Sequence, residues 1–305
     1  MEEKISKSAF CEDSRVKFPT LMHLMGMGFK YVSLKGLKTK YVIAPKTEFD
    51  PLTNILTDYF TEAYNKLNPN VEIGAAGKLL AKIQSSLMND DLGRQFYNEI
   101  LLNTGERIID LSSPANFYKN NTFQVTTEMT CGDKDNDNYR PDITLFVNGL
   151  PLAFIEVKKE NNHKGILAET DRMKQRFVNP KYRRFLNLTQ IMVFSNDMEY
   201  DNNEVTPTIG AFYATIGKKN TKYNCFREEG EDSFPIERHI RQVTLQEEEI
   251  LLRDSNVPQY KNSSEYKTNC LANTPTKRMC DSLFSFNPNR SLGASKLWPT
   301  VFFSR

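Results

Sequence analysis

The sequence predicts an α/β fold in which a mixed central sheet is flanked by helices. Three observations carry that expectation. Two short runs rich in β-branched and aromatic residues, Ile143 to Val147 and Leu152 to Val157, flank Asn148-Gly149 and read as a β-hairpin. Thr189 to Ser195 is a continuous apolar run of the kind found in buried central strands. Thr53 to Leu67 repeats Ile55, Leu56, Tyr59, Phe60, Ala63, Tyr64 and Leu67 at helical spacing, with Pro51 near its start.

The remaining elements follow in order. Leu21, Leu24 and Met25 share a helical stripe that Gly26 and Gly28 stop before Tyr31-Val32. Gly26-x-Gly28 is not read as a nucleotide loop, because it has no third glycine, no following lysine and no preceding strand. Lys78 to Met88 reads as a helix with Leu79, Leu80, Ile83 and Leu87 inward, and Asp90 to Asn103 as another. Phe123 to Met129 alternates as a strand does and leads into an acidic loop with Asp133, Asp135 and Asp137. That trio mimics the opening of a calcium loop. Asn138 stands where glycine belongs and Thr144 where the closing glutamate belongs, so it reads as a solvated loop. Gly165 to Phe177 is a helix with Ile166, Thr170, Met173 and Phe177 inward; Gly210 to Ile216 and Tyr223 to Phe226 read as further strands. Glu231 to Glu249 is charged and helix-prone, and the chain turns polar from about Asn256.

Composition narrows the function classes. Apolar residues at 39% and charged residues at 26% describe an ordinary soluble globular chain, and 305 residues suffice for a substantial core. A net charge of +2 does not by itself argue for nucleic acid, so any such claim rests on local distribution. The five cysteines (Cys11, Cys131, Cys225, Cys270, Cys280) are odd in number and form no Cys-x-x-Cys pair, which fits reduced thiols in the cytoplasm. No apolar run approaches a membrane span, and Met1-Glu2-Glu3 does not open a signal peptide. His23, His163 and His239 are scattered, and Ser195 sits in no Gly-x-Ser-x-Gly setting, which leaves histidine-based and serine hydrolases without support. No Gly-x-x-x-x-Gly-Lys-[Ser/Thr] occurs, so no ATP site is expected.

The chemistry concentrates between Arg140 and Lys159. Asp142 opens the first hairpin strand, and Glu156 and Lys158, two apart on the second, share a face. Two carboxylates make a hard oxygen site suited to Mg²⁺, and a lysine beside them can offset charge on a phosphate. Convergence depends on parity. A plain two-residue turn pairing Val147 with Leu150 would put Asp142 and Glu156 on opposite faces, whereas a three-residue loop or a bulge puts them on one. The chemistry therefore predicts an odd loop or a bulge in place of the tight turn that Asn148-Gly149 suggests. From Lys158 to Arg184, nine basic residues face only Glu160, Glu169 and Asp171. Among them Lys159, Lys164, Arg172, Lys174 and Arg176 are candidate phosphate contacts; the alternative is a solvated helix face.

Pro141-Asp142 followed by Glu156-x-Lys158 resembles the signature of the PD-(D/E)xK nucleases, whose restriction-endonuclease-like fold matches the expected architecture. The wider run from Tyr139 to Lys159 is similar to the amino-terminal nuclease domain of the type I restriction enzyme R subunit, a likeness extending from about Pro19 to about Pro275. The resemblance implies a metal-dependent DNA endonuclease, with Asp142 and Glu156 as ligands of Mg²⁺ (Mn²⁺ as a substitute) and Lys158 as the catalytic lysine. It also implies DNA, a methyltransferase subunit and a specificity subunit as partners, with ATP-driven motor domains missing from this chain. Glu62 is an additional candidate acid, since other nucleases of this fold take one from a first helix. One departure stands out: where that family carries Gln-x-x-x-Tyr on the following helix, Arg172 and Arg176 fall here, with Gln175 as a shifted match. Residues 1–260 are expected to form the nuclease domain and 261–305 a polar linker, with 289–305 a non-native or truncated tail. The alternatives are a stand-alone PD-(D/E)xK nuclease and a catalytically weak DNA-binding or docking remnant.

Overall fold

The computed structural model describes residues 16–38, 40, 42–102, 105–131, 139–158, 165–196, 211–215, 224–225 and 242–254. Its centre is a seven-stranded mixed sheet. In chain order the strands are β1 (Lys30–Tyr31), β4 (Phe123–Thr127), β5 (Ile143–Val147), β6 (Leu150–Val157), β7 (Ile191–Ser195), β8 (Ala211–Thr215) and β9 (Asn224–Cys225), and they lie side by side in that order. Pairing is parallel at β1·β4 and β6·β7 and antiparallel elsewhere. A separate two-stranded ribbon joins β2 (Leu37–Lys38) to β3 (Ile43–Ala44). The parallel β6·β7 step is what a crossover connection requires. It runs through α5 (Gly165–Val178), a 3-10 turn at Pro180–Tyr182 and α6 (Arg183–Leu188).

Both faces of the sheet are covered, which is why its central strands read as unbroken apolar runs and not as alternating ones. One face (Ile143, Leu145, Ile155, Val157, Ile191 and Val193) packs into the main core with α1 (Phe18–Gly26), α2 (Thr57–Leu67) and α3 (Ala75–Ser86). The other face offers Phe154, Met192 and Ala214 to Met173 of α5 and to Tyr182, Phe185 and Leu186. Helix α1 is buried nearly all round, beyond the single stripe that Leu21, Leu24 and Met25 suggest. Helix α2 starts at Thr57, four residues later than its periodicity implies; Asn54 adopts φ 63° there and its side chain donates to Thr130 O. The Asp90–Asn103 stretch contains a π-helical segment, Phe96–Leu101, and the unforeseen helix α4 (Pro114–Asn120) is capped by Ser113, whose hydroxyl accepts from Asn116 N–H. The charged stretch after 231 yields α7 (Leu245–Asp254), which buries Leu251 in the main core.

Candidate active site

The β5–β6 hairpin decides the geometry of the site, by a route only half foreseen. The turn is tight after all: Val147 pairs with Leu150, and Asn148 (φ 51°) and Gly149 (φ 76°) both take left-handed conformations, the two-residue turn that matches strand twist. Parity is restored one step later by a β-bulge. Leu145 pairs with Ala153 and Phe146 with Pro151, which leaves Leu152 as the extra residue. Leu152 and Ala153 consequently both enter the main core, and every later residue of β6 changes face. Pro151, which cannot donate to a ladder, sits at the irregularity where its loss matters least. Beyond the bulge Ile143 pairs with Ile155, so Asp142 lies across from Glu156 on the face covered by α5 and α6.

Asp142, Glu156 and Lys158 meet at the open end of this hairpin. Asp142 Oδ2 accepts from Val157 N–H at 2.8 Å, a side chain finishing the ladder where β5 ends. Lys158 Nζ stands 4.0 Å from Asp142 Oδ2 and 3.9 Å from Glu156 Oε2, and its own N–H bonds Ser195 O on β7. Glu156 is buried, and its Oε1 has no hydrogen-bond partner among the described residues. Burial, then the charges of Asp142 and Glu169, push Glu156 well above the usual carboxylate range, against the opposing pulls of Lys158 and of the nearby Tyr139 hydroxyl, which approaches it without forming a well-shaped hydrogen bond. Two carboxylates brought together at one strand end offer the hard oxygen donors that a divalent cation fits. Among the described residues no group of three or more His, Cys, Asp or Glu is placed to hold a metal ion, and Asp142 and Glu156 are the two acids that stand together with Lys158.

Four residues at the site carried no sequence signal. Lys17, buried just before α1, donates to Glu128 Oε1 at 2.8 Å and lies 4.0 Å from Asp142 Oδ1. That bond holds the Glu128 carboxyl below the usual carboxylate range, and Glu128 itself adopts φ 49° while its N–H bonds Asp142 O. On the other side Glu169 of α5 is buried and ion-paired with Arg172 at 3.0 Å and Arg176 at 2.6 Å. Tyr139 completes that wall beneath the Arg176 guanidinium, 3.9 Å from ring centre to guanidinium carbon.

The other candidates fall as follows. Glu62 is exposed on α2, whose first turn packs on Gly149 at the closed end of the hairpin, so this acid does not join Asp142 and Glu156. Arg172 and Lys174 are exposed, the latter paired with Asp171 at 2.9 Å. Arg176 departs from the expected basic surface: its guanidinium turns inward to Glu169, because a buried carboxylate there demands a cation. Lys159, Lys164 and the acidic trio Asp133, Asp135 and Asp137 lie outside the described residues, as does 261–305.

A mixed α/β sheet with flanking helices, carrying two acids and a lysine at the open end of its central hairpin, is compatible with the PD-(D/E)xK nuclease-like fold. The family model described as the type I restriction enzyme R protein N terminus matches residues 10–205. The chain belongs to that family. No curated protein matches it.

Proposed function

We propose that this chain is the DNA-cleaving domain of a type I restriction R subunit and hydrolyses phosphodiester bonds with a divalent metal ion at Asp142 and Glu156. The observation that carries the reading is the bulge at Leu152, which brings both carboxylates to one face with Lys158 within 4.0 Å of each. A bound Mg²⁺, or Mn²⁺ in its stead, supplies Lewis acidity toward a phosphoryl oxygen and acidifies a coordinated water. Asp142 is held for its task by Val157 N–H on Oδ2, while its Oδ1 stands 4.0 Å from the buried Lys17 Nζ. Glu156 is fixed by burial. Lys158, whose Nζ donates to Val157 O at 2.9 Å and lies 6.0 Å from the Phe194 ring, is kept beside both carboxylates, where it offsets charge on the phosphate. Target choice falls to the methyltransferase and specificity subunits, and ATP-driven translocation to the motor domains of the R subunit that this chain does not include.

Nicking of supercoiled plasmid by the purified chain in Mg²⁺ or Mn²⁺ tests this. Asp142→Ala and Lys158→Ala are each expected to lower the rate by at least ~100-fold, the scale on which preorganised charge stabilisation is lost. Cleavage by either variant at the wild-type rate would sink the assignment.

A further inference from the structure

A second constellation lies behind Glu156. Glu169 is a buried carboxylate on α5, and both of its oxygens are taken by arginines of the same helix, Oε2 by Arg172 and Oε1 by Arg176. Arg172 is exposed and its pairing is an ordinary helical one. Arg176 differs: its side chain is 20% exposed, its guanidinium carbon stands 3.9 Å from the centre of the Tyr139 ring, and its Nη1 also stands 3.9 Å from Glu156 Oε1. That oxygen is the one with no hydrogen-bond partner among the described residues. The Glu156 carboxylate therefore sits between two cations, Arg176 on the Oε1 side and Lys158 on the Oε2 side, each at 3.9 Å.

Building on the nuclease reading, we propose that Arg176 is a positioning residue: anchored by Glu169 and Tyr139, it fixes the rotamer of Glu156 and so presents Oε2 to the metal. The geometry supports this over simple packing. A guanidinium is planar and carries five donors, so it can lie on a ring, bond one carboxylate and face another at once. Without it, Glu156 would face the charges of Asp142 and Glu169 with Lys158, at 3.9 Å, as its own remaining counter-charge. Groups that orient a metal ligand from behind are worth 10–100-fold in metal affinity when removed.

The test is Mn²⁺ binding to the intact chain, read from the electron paramagnetic resonance of the free ion, with thermal melting as the check on folding. Wild type is expected to bind, and Asp142→Ala to lose binding. Arg176→Gln is expected to bind 10–100-fold more weakly, and Glu169→Gln to weaken binding by a smaller factor because it removes only the anchor. Arg176→Lys keeps the charge and loses the guanidinium over the Tyr139 ring, so it should stand closer to wild type than Arg176→Gln. If Arg176→Gln binds Mn²⁺ as wild type does while Asp142→Ala does not, the positioning role is wrong and the nuclease reading stands. Equal weakening in Arg176→Gln and Arg176→Lys, tracking a common fall in melting temperature, would reduce Arg176 to packing. Failure of wild type to bind at all, or binding indifferent to Asp142→Ala, would overturn both readings. Should Arg176→Gln not fold, Glu169→Gln carries the same comparison against wild type.

Discussion

At the scale of single residues, the site places a cost on the protein that it is built to recover. Glu156 is a carboxylate buried beside two others, and among the described residues no well-formed hydrogen bond reaches its Oε1. Its folded pKa lies above its ordinary value of 4.5, so in the absence of metal the folded state holds a proton that the unfolded chain has released. Stability then falls as the pH rises from about 4.5 toward the raised folded value, and the loss is complete above it. Glu156→Gln removes that liability. Without metal at pH 8 it is expected to melt a few degrees higher than wild type, about the shift that 1 kcal/mol gives a domain of this size. The gap should close below pH 4.5, and Mn²⁺ should no longer bind. A Gln variant that melts lower than wild type at pH 8 would mean the carboxylate is stabilising and this account of the site is wrong. Asp142, Glu156 and Lys158 were legible because they lie in one local pattern around a hairpin signal. Lys17 was not, since its partner Glu128 is 111 residues away in the chain. Arg176 was read as a candidate phosphate contact, with a solvated helix face as the alternative, and Glu169 only as an acid opposing that basic run, because spacing alone does not reveal that this part of α5 is buried against Tyr139.

At the scale of elements, the hairpin shows what pattern reading reaches and where it stops. The existence of both strands followed from their composition, and the need for one extra residue followed from the chemistry. Its location did not. Every residue of β6 is buried, so the alternation that would have revealed a slip between Pro151 and Ala153 is absent from the sequence. The turn itself was legible but set aside, and the structure keeps it because Gly149 does more than reverse the chain. Its N–H takes Gln124 Oε1 and its carbonyl accepts from Leu56 N–H, so the turn seats the start of α2. A Cβ at Gly149 would stand 2.5 Å from Leu56 O and 2.8 Å from Phe60 N, both backbone atoms, at a φ of +76°. Gly149→Ala is therefore expected to destabilise the fold by more than about 2 kcal/mol, combining left-handed strain with a clash that no side chain can relieve. Chemical denaturation measures this directly. A loss under ~0.5 kcal/mol would show that α2 and the hairpin are not rigidly joined.

At the scale of the molecule, the sheet outruns the family match. That match ends at residue 205, yet β8 and β9 extend the sheet, and α7 returns to pack on the main core through Leu251. The return is also polar. Tyr31 donates to Asp254 Oδ2 at 2.7 Å and lies 3.2 Å from Thr127 Oγ1, while Lys35 Nζ donates to Asp254 O. Thr127 immediately precedes Glu128, whose carboxylate receives Lys17 at the rim of the site. Thus the end of α7 is tied to the strand edge that leads to Asp142, and its docking bears on the site as well as on the core. No helix among the described residues is long and apolar enough to cross a membrane. Leu251 is fully buried, so Leu251→Ala should lower the unfolding free energy by about 2–5 kcal/mol with an unchanged denaturant slope. An effect below ~1 kcal/mol, or a second unfolding transition that leaves the hairpin intact, would mean that α7 frays independently and that the cooperative unit ends with the sheet.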